Sequence, residues 1–205
     1  MALPPESQLY SNKPLEIIWH GRGGQGAWTA SEILAKAAIK EGKYIQSFPE
    51  FGPERMGAPV KAFTRISDKP IRLHCGVYNP DIVAVIDPTL LKSVNVLEGL
   101  KEGGILIVNT KEDPCGLSEI IKKEPWYDKT DLSKYKIYTV NATKISLKYL
   151  GTAIVNTAIL GAVMRVSGTT NLESLYSVVR NRFRPDVAEK NEKVIEEAYE
   201  SVRGM

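Results

Sequence analysis

Gly21, Gly23 and Gly26 stand at the spacing G-x-G-x-x-G, with Arg22, Gly24 and Gln25 filling the run. Glycine adopts positive φ and lets a backbone approach a ligand closely. Where such a run joins a strand to a helix, the amides of the helix's first turn favour an anion. Arg22 adds a positive charge beside them, and Gln25 an amide able to bond across an interface or cap the loop. Three readings stand open: a dinucleotide site, a phosphate or other anion site, and a tight turn that serves only strand–helix packing. A dinucleotide fold places Asp or Glu about 20 residues on, to hold a ribose. Residues 44–48 read Tyr-Ile-Gln-Ser-Phe, without a carboxylate, which counts against NAD or FAD.

Other candidates are fewer. Residues 48–59 hold three prolines and two glycines around Glu54 and Arg55. That content excludes a regular helix or central strand and predicts a stiff loop. The two charges are read as facing a neighbouring chain, or as an ion pair within the loop. Asn156 is polar within an apolar stretch, so its amide needs partners. Cys75 and Cys115 are the only cysteines and His20 and His74 the only histidines. Two cysteines cannot hold a four-cysteine iron–sulfur cluster, and neither histidine has a ligand neighbour at zinc spacing. No Cys–His or Ser–His pair supplies a nucleophile with its base.

The elements that must position these residues follow from hydrophobic period. Residues 15–20 (LEIIWH) read as a buried strand and 27–41 as an amphipathic helix stopped by Gly42. Residues 43–47 resume extended structure, giving a β-loop-α-β unit. Residues 60–66 alternate as a strand, with 70–73 expected to return beside them in a hairpin. Residues 81–86 and 105–108 read as buried strands, 89–100 and 117–123 as short helices, and 136–140 as the last strand. From residue 153 the chain reads as helices over 153–166, 171–180, with Asn171 as N-cap, and 186–202. Trp19 and Trp28 are assigned to the core. The expected fold is a three-layer α/β/α domain with a mainly parallel, Rossmann-like sheet and a helical C-terminal third. Residues 1–13 read as an N-terminal arm and 14–205 as one domain.

Composition bounds the function. The chain has 205 residues, a net charge of +3, 43% hydrophobic and 25% charged residues. These are values of a globular protein, with no basic excess to imply nucleic acid. No apolar stretch reaches the about 20 residues of a membrane span. The absence of a secretory leader predicts the cytoplasm.

Three blocks carry a family resemblance. Residues 20–26 (HGRGGQG) lead into AWTASEILAKAA, residues 48–66 read FPEFGPERMGAPVKAFTRI, and residues 151–162 read GTAIVNTAILGA. In order and spacing they resemble the gamma subunit of pyruvate or 2-oxoisovalerate:ferredoxin oxidoreductases, which corresponds to the domain called III in single-chain enzymes. Met56 stands where that resemblance leads us to expect a second basic residue. The resemblance implies a chain inactive by itself, within a complex that oxidatively decarboxylates a 2-oxoacid, pyruvate first among them, to acyl-CoA and CO2 and reduces ferredoxin. It implies thiamine diphosphate, Mg, 4Fe-4S clusters and CoA in the complex and none held by this chain alone. The implied partners are alpha, beta and delta-type subunits, with ferredoxin as acceptor. Gly21, Arg22, Gly23, Gly24, Gln25, Gly26, Glu54, Arg55 and Asn156 are the expected cofactor-facing or interface residues, and none is expected to be catalytic. The alternatives are a gamma subunit acting on 2-oxoisovalerate, 2-oxoglutarate or an arylpyruvate, or a self-sufficient nucleotide-binding protein.

Overall fold

The computed structural model describes residues 13–50 and 56–205. Residues 1–12 of the expected arm, and the Glu54–Arg55 pair, lie outside the described residues.

Strands β1 (Leu15–Arg22), β2 (Tyr44–Pro49), β3 (Pro59–Ser67), β4 (Ile82–Val85), β5 (Ile105–Asn109), β6 (Lys136–Val140) and β7 (Arg203–Gly204) form one sheet in the order β2-β3-β1-β4-β5-β6-β7. β1, β4, β5 and β6 are parallel neighbours. β3 lies antiparallel between β1 and β2, so β2 runs in the direction of β1. The expected β-α-β unit is therefore split, with β3 occupying the slot beside β1.

Helices α1 (Ala27–Lys40), α3 (Ala142–Leu150), α4 (Asn156–Ser167), α5 (Leu172–Arg182) and α6 (Pro185–Ser201) cover one face of the sheet, and α2 (Pro114–Lys122) covers the other. Strand alternation serves both layers. Ile82, Ala84 and Ile86 join the core beneath α1 and α4, while Val83 and Val85 join the core beneath α2. A sheet buried on both faces explains the unbroken apolar runs of β4 and β5. The expected three-layer α/β/α architecture holds, and α4 is buried along all but one of its residues.

Five local expectations are corrected. Residues 70–73 form no hairpin strand, because both edges of β3 are already taken by β1 and β2. Residues 89–100 hold only a short 3-10 helix, Pro88–Lys92. The Asn95 side chain then accepts from Leu97 N at 3.1 Å, a local turn that competes with helix. α4 begins at Asn156, not residue 153; the extended residues before it carry Ile154 to the surface. α3 and β7 were not expected; β7 pairs with β6, so residues 136–140 are not the last strand. Trp19 is buried, but Trp28 is 54% exposed, because it stands in the helical column of the Glu32–Lys36 ion pair.

One buried ionic contact fixes the far end of the sheet. Arg65 of β3 is 1% exposed. Its Nε meets Glu16 Oε1 at 2.8 Å, and its guanidinium donates to the carbonyls of Cys75 and Gly76, each at 2.8 Å. It thus ties the 75–76 segment to β1 and β3.

Candidate functional site

β1 and β4 are adjacent and parallel, but the chain leaves them in opposite directions, toward β2 and β3 from one and toward β5 from the other. In open α/β sheets the crevice outside the carboxyl ends of two such strands is where ligands sit. Gly21 and Arg22 end β1 there, and Asp87 follows β4.

In this chain the crevice is filled by its own side chains. Asp87 Oδ2 accepts from Gln25 Nε2 at 2.8 Å and from Arg22 Nε at 3.1 Å. Asp87 Oδ1 accepts from Thr89 N at 2.9 Å and from Thr89 Oγ1 at 2.6 Å. Arg22 also donates to Thr89 Oγ1 through Nη2 at 2.8 Å and to the Gly57 carbonyl at 3.1 Å. Burial raises the Asp87 pKa; the hydrogen bonds from Thr89 and Gln25 and the Arg22 charge outweigh it, leaving the carboxyl below its ordinary value.

The backbone of the loop is likewise occupied. Arg22 N donates to Gln25 Oε1 at 2.8 Å, Gln25 N to the Arg22 carbonyl at 3.0 Å, and Gly23 N to the Ala58 carbonyl at 2.9 Å. Gly57 N returns a bond to the Gly23 carbonyl at 3.1 Å. The amides of Arg22, Gly23 and Gln25, committed in this way, are not open to a phosphate, which favours the tight-turn reading at those residues. The last two contacts continue the β1–β3 ladder past the sheet. They put residues 56–58, the described end of the proline-rich loop, on the same edge as the glycines. Met56 there is 93% exposed.

Two glycines carry the turn's shape. Gly24 has φ +92° and Gly26, which precedes α1, has φ +79°. A Cβ on Gly26 would lie 2.6 Å from Asn156 Nδ2. Asn156 is 7% exposed and its Oδ1 accepts from Thr157 N at 2.9 Å. It packs the start of α4 against Gly26 at the start of α1.

The structure thus brings Gly21, Arg22, Gly23, Gly24, Gln25, Gly26 and Asn156 together. Asp87 and Thr89 are central to the cluster and were not singled out from sequence. The signal available was a carboxylate directly after the apolar strand at residues 81–86. His20, just before the loop, is held neutral by burial and by Lys61, its pKa pushed down to about 3. Cys75 and Cys115 are both exposed. Among the described residues no three His, Cys, Asp or Glu side chains gather as metal ligands, and no helix is long and apolar enough to cross a membrane.

A sequence model described as pyruvate ferredoxin/flavodoxin oxidoreductase matches residues 16–201. The pyruvate/ketoisovalerate oxidoreductases common subunit gamma of Thermococcus kodakarensis is 52% identical over 185 residues, covering 90% of this chain and 95% of that one. The pyruvate synthase subunit PorC of Methanocaldococcus jannaschii is 50% identical over 185 residues, covering 90% and 95%. The crystal structure of the pyruvate oxidoreductase subunit PORC of Thermotoga maritima superposes with a TM-score of 0.81 at 43% identity, covering 94% of this chain and 99% of that one.

Proposed function

The chain belongs to the pyruvate ferredoxin/flavodoxin oxidoreductase family, and on that premise we propose that it is the gamma-type subunit of a 2-oxoacid:ferredoxin oxidoreductase complex, with pyruvate the first substrate to test. The observation that carries this reading is a likeness running through nearly the whole chain to relatives named as gamma or PorC subunits. The relatives are covered almost end to end, so the comparison is subunit to subunit.

The clasp described above supports a docking role over a chemical one. Arg22 is committed to Asp87, Thr89 and the Gly57 carbonyl, and so shapes the edge instead of reaching out from it. The Gly23–Gly57 and Gly23–Ala58 bonds hold residues 57 and 58, which follow Glu54 and Arg55 in sequence, beside the glycines. We assign the loop of Glu54 and Arg55, with residues 21–26, to the face that meets catalytic partner chains of alpha and beta type. A stiff loop reduces the ordering cost of docking. Asn156 and Gly26 keep the face in register with the C-terminal helices.

Thiamine diphosphate, Mg, 4Fe-4S clusters and CoA are assigned to the complex and not to this chain, with a delta-type subunit and ferredoxin completing the electron path. When bound in the partners, these groups supply decarboxylation, electron transfer and acyl transfer. Among the described residues no three His, Cys, Asp or Glu side chains gather as metal ligands, and we assign this chain a binding and positioning role. The one-domain organisation over 14–205, with 1–13 as an arm, and a cytoplasmic location belong to the same reading.

The test is affinity purification of the chain coexpressed with its catalytic partners, followed by assay on a panel of 2-oxoacids. Stoichiometric partner chains and CoA-dependent, ferredoxin-reducing activity are expected, with a colourless and inactive chain when it is purified alone. Oxidation of a 2-oxoacid by the pure chain, or a micromolar Kd for NAD or NADH by calorimetry, would overturn the assignment. Arg55→Ala should weaken assembly or raise the KM for CoA while leaving the fold intact. The name of the Thermococcus kodakarensis relative favours a second reading, one gamma chain shared by pyruvate and ketoisovalerate enzymes. Reconstitution with two sets of catalytic chains separates the two.

A further inference from the structure

The two edges of the sheet are finished differently. β7 is 2 residues long, whereas β2 offers 6. β2 pairs with β3 alone. Glu50 N donates to the Lys61 carbonyl at 2.9 Å, continuing the β2–β3 register. Bonded pairs alternate along an antiparallel ladder, so Tyr44, Gln46 and Phe48 spend their backbone groups on β3. Those of Ile45 and Ser47 point outward and have no partner among the described residues. An open groove of about 590 Å3 runs beside this edge, between residues 45–48 and the 73–76 segment.

Exposed edges of this length are ordinarily blunted by a charge or a bulge. β2 has neither. Residues 44–49 carry no charge, and the register with β3 runs unbroken from Tyr44 to Pro49. Pro49 alone lacks an amide, and it stands at the last position. Lys43 and Glu50 bracket the uncharged run. Tyr44 and Leu73, 48% and 43% exposed, add apolar surface beside it.

We propose that β2 is a self-association edge, pairing antiparallel with β2 of a second copy of this chain about a two-fold axis beside Gln46. Ile45 then faces Ser47 of the second copy, and the two such pairs exchange backbone hydrogen bonds in both directions. Tyr44 faces Phe48 of the second copy, an aromatic cross-strand pair. Lys43 of each copy comes beside Glu50 of the other, so opposite charges meet at both ends, whereas parallel pairing would align like with like. Leu73, whose carbonyl accepts from Gln46 Nε2 at 2.7 Å, is brought toward its equivalent across the axis. A strand of this length spans about 20 Å, and with the 73–76 segment it buries on the order of 1,000 Å2 in total, the lower limit of a specific interface. The dimer is therefore weak and concentration-dependent. The proposal goes beyond the assembly reading and does not depend on it, since pairing is measured on this chain alone.

Sedimentation equilibrium of the full-length chain over a wide concentration range is expected to show monomer and dimer with a micromolar Kd. Tyr44 is half-exposed, so Tyr44→Lys keeps the fold and should weaken dimerisation roughly tenfold, by setting a charge against Phe48 of the second copy. Leu147→Lys, at an exposed apolar position on α3 away from this edge, should leave dimerisation unchanged. In hydrogen exchange followed by NMR, the amides of Ile45 and Ser47 should gain protection on dimerisation, while those of Gln46 and Phe48, already bonded to β3, should not. A monomer at every concentration, a dimer equally tight in Tyr44→Lys, or protection gained elsewhere than at Ile45 and Ser47 overturns the pairing. So does a chain that is monomeric alone yet loses its catalytic partners on Tyr44→Lys, which would assign the edge to a partner's strand.

Discussion

Asp87→Asn removes one charge and leaves the volume of the side chain nearly unchanged, which isolates the electrostatic role of the clasp. The amide oxygen of the variant can still accept from Thr89. Its Nδ2 must then face Arg22 Nε and Gln25 Nε2, donor against donors, where the carboxylate accepted at 3.1 and 2.8 Å. Hydrogen bonds to charged groups contribute about 1.5–3 kcal/mol each. Arg22 and Asp87 side chains are 28% and 13% exposed, so water recovers part of the loss. The expected destabilisation is about 2–4 kcal/mol, which for a domain of this size is roughly 5–15 °C in Tm. Urea unfolding followed by circular dichroism should show a lower midpoint at unchanged slope. The pH dependence has a definite sign. The native carboxyl titrates below its ordinary 3.8; its stabilisation is complete above that value and fades as pH falls through the native pKa. Wild type and variant should therefore converge in acid. A double-mutant cycle with Arg22→Ala should be non-additive. Additive losses, or an Asp87→Asn cost below about 0.5 kcal/mol, would show that the clasp does not organise the edge.

Three further outcomes follow from buried groups. His20 titrates near 6.5 when unfolded and about 3 in the fold, so the unfolded chain takes up the proton first. Wild-type stability should fall by about 1.4 kcal/mol per pH unit between those values relative to His20→Gln, measured by urea midpoints across pH; parallel curves would contradict this. Arg65→Met leaves Glu16 with Lys101 alone, at 3.9 Å, and frees the carbonyls of Cys75 and Gly76. A loss of about 3–5 kcal/mol is expected by calorimetry, with a loss below 1 speaking against the clamp. A Cβ on Gly161 would sit 2.4 Å from the Ile195 carbonyl. Gly161→Ala should thus cost about 1–3 kcal/mol despite better helix propensity, because α4 and α6 must part.

Much of the fold was legible because its signals are local. The unbroken runs of β4 and β5 announce a sheet covered on both faces, Gly42 stops α1, and Asn171 caps α5 as its position suggested. What escaped depends on pairing between distant segments. Nothing in residues 70–73 says that β2 already holds the free edge of β3. Nothing in Arg203 and Gly204 says that they pair with Tyr138 and Thr139, more than sixty positions earlier. The site divides in the same way. The glycine spacing showed where the edge would be. Its closure by Asp87 depends on the adjacency of β1 and β4, a property of strand order that period and composition do not encode. Trp28 was misplaced because its aromatic type outweighed its column, which is that of Glu32 and Lys36.

The burial of α4 also has a consequence for how the chain is made. The apolar surface of α1 packs partly on β2 and β3 and partly on α4 and α5. Those helices leave the ribosome more than a hundred residues after α1. At the roughly 5–20 residues per second of synthesis, the second part waits on the order of ten seconds for its cover. The half synthesised first cannot complete its own core, and a chain cut short before Asn156 would offer that part to any other apolar surface. A nascent protein of this kind depends on shielding during translation, and premature termination in its last third should yield aggregates instead of a smaller soluble domain.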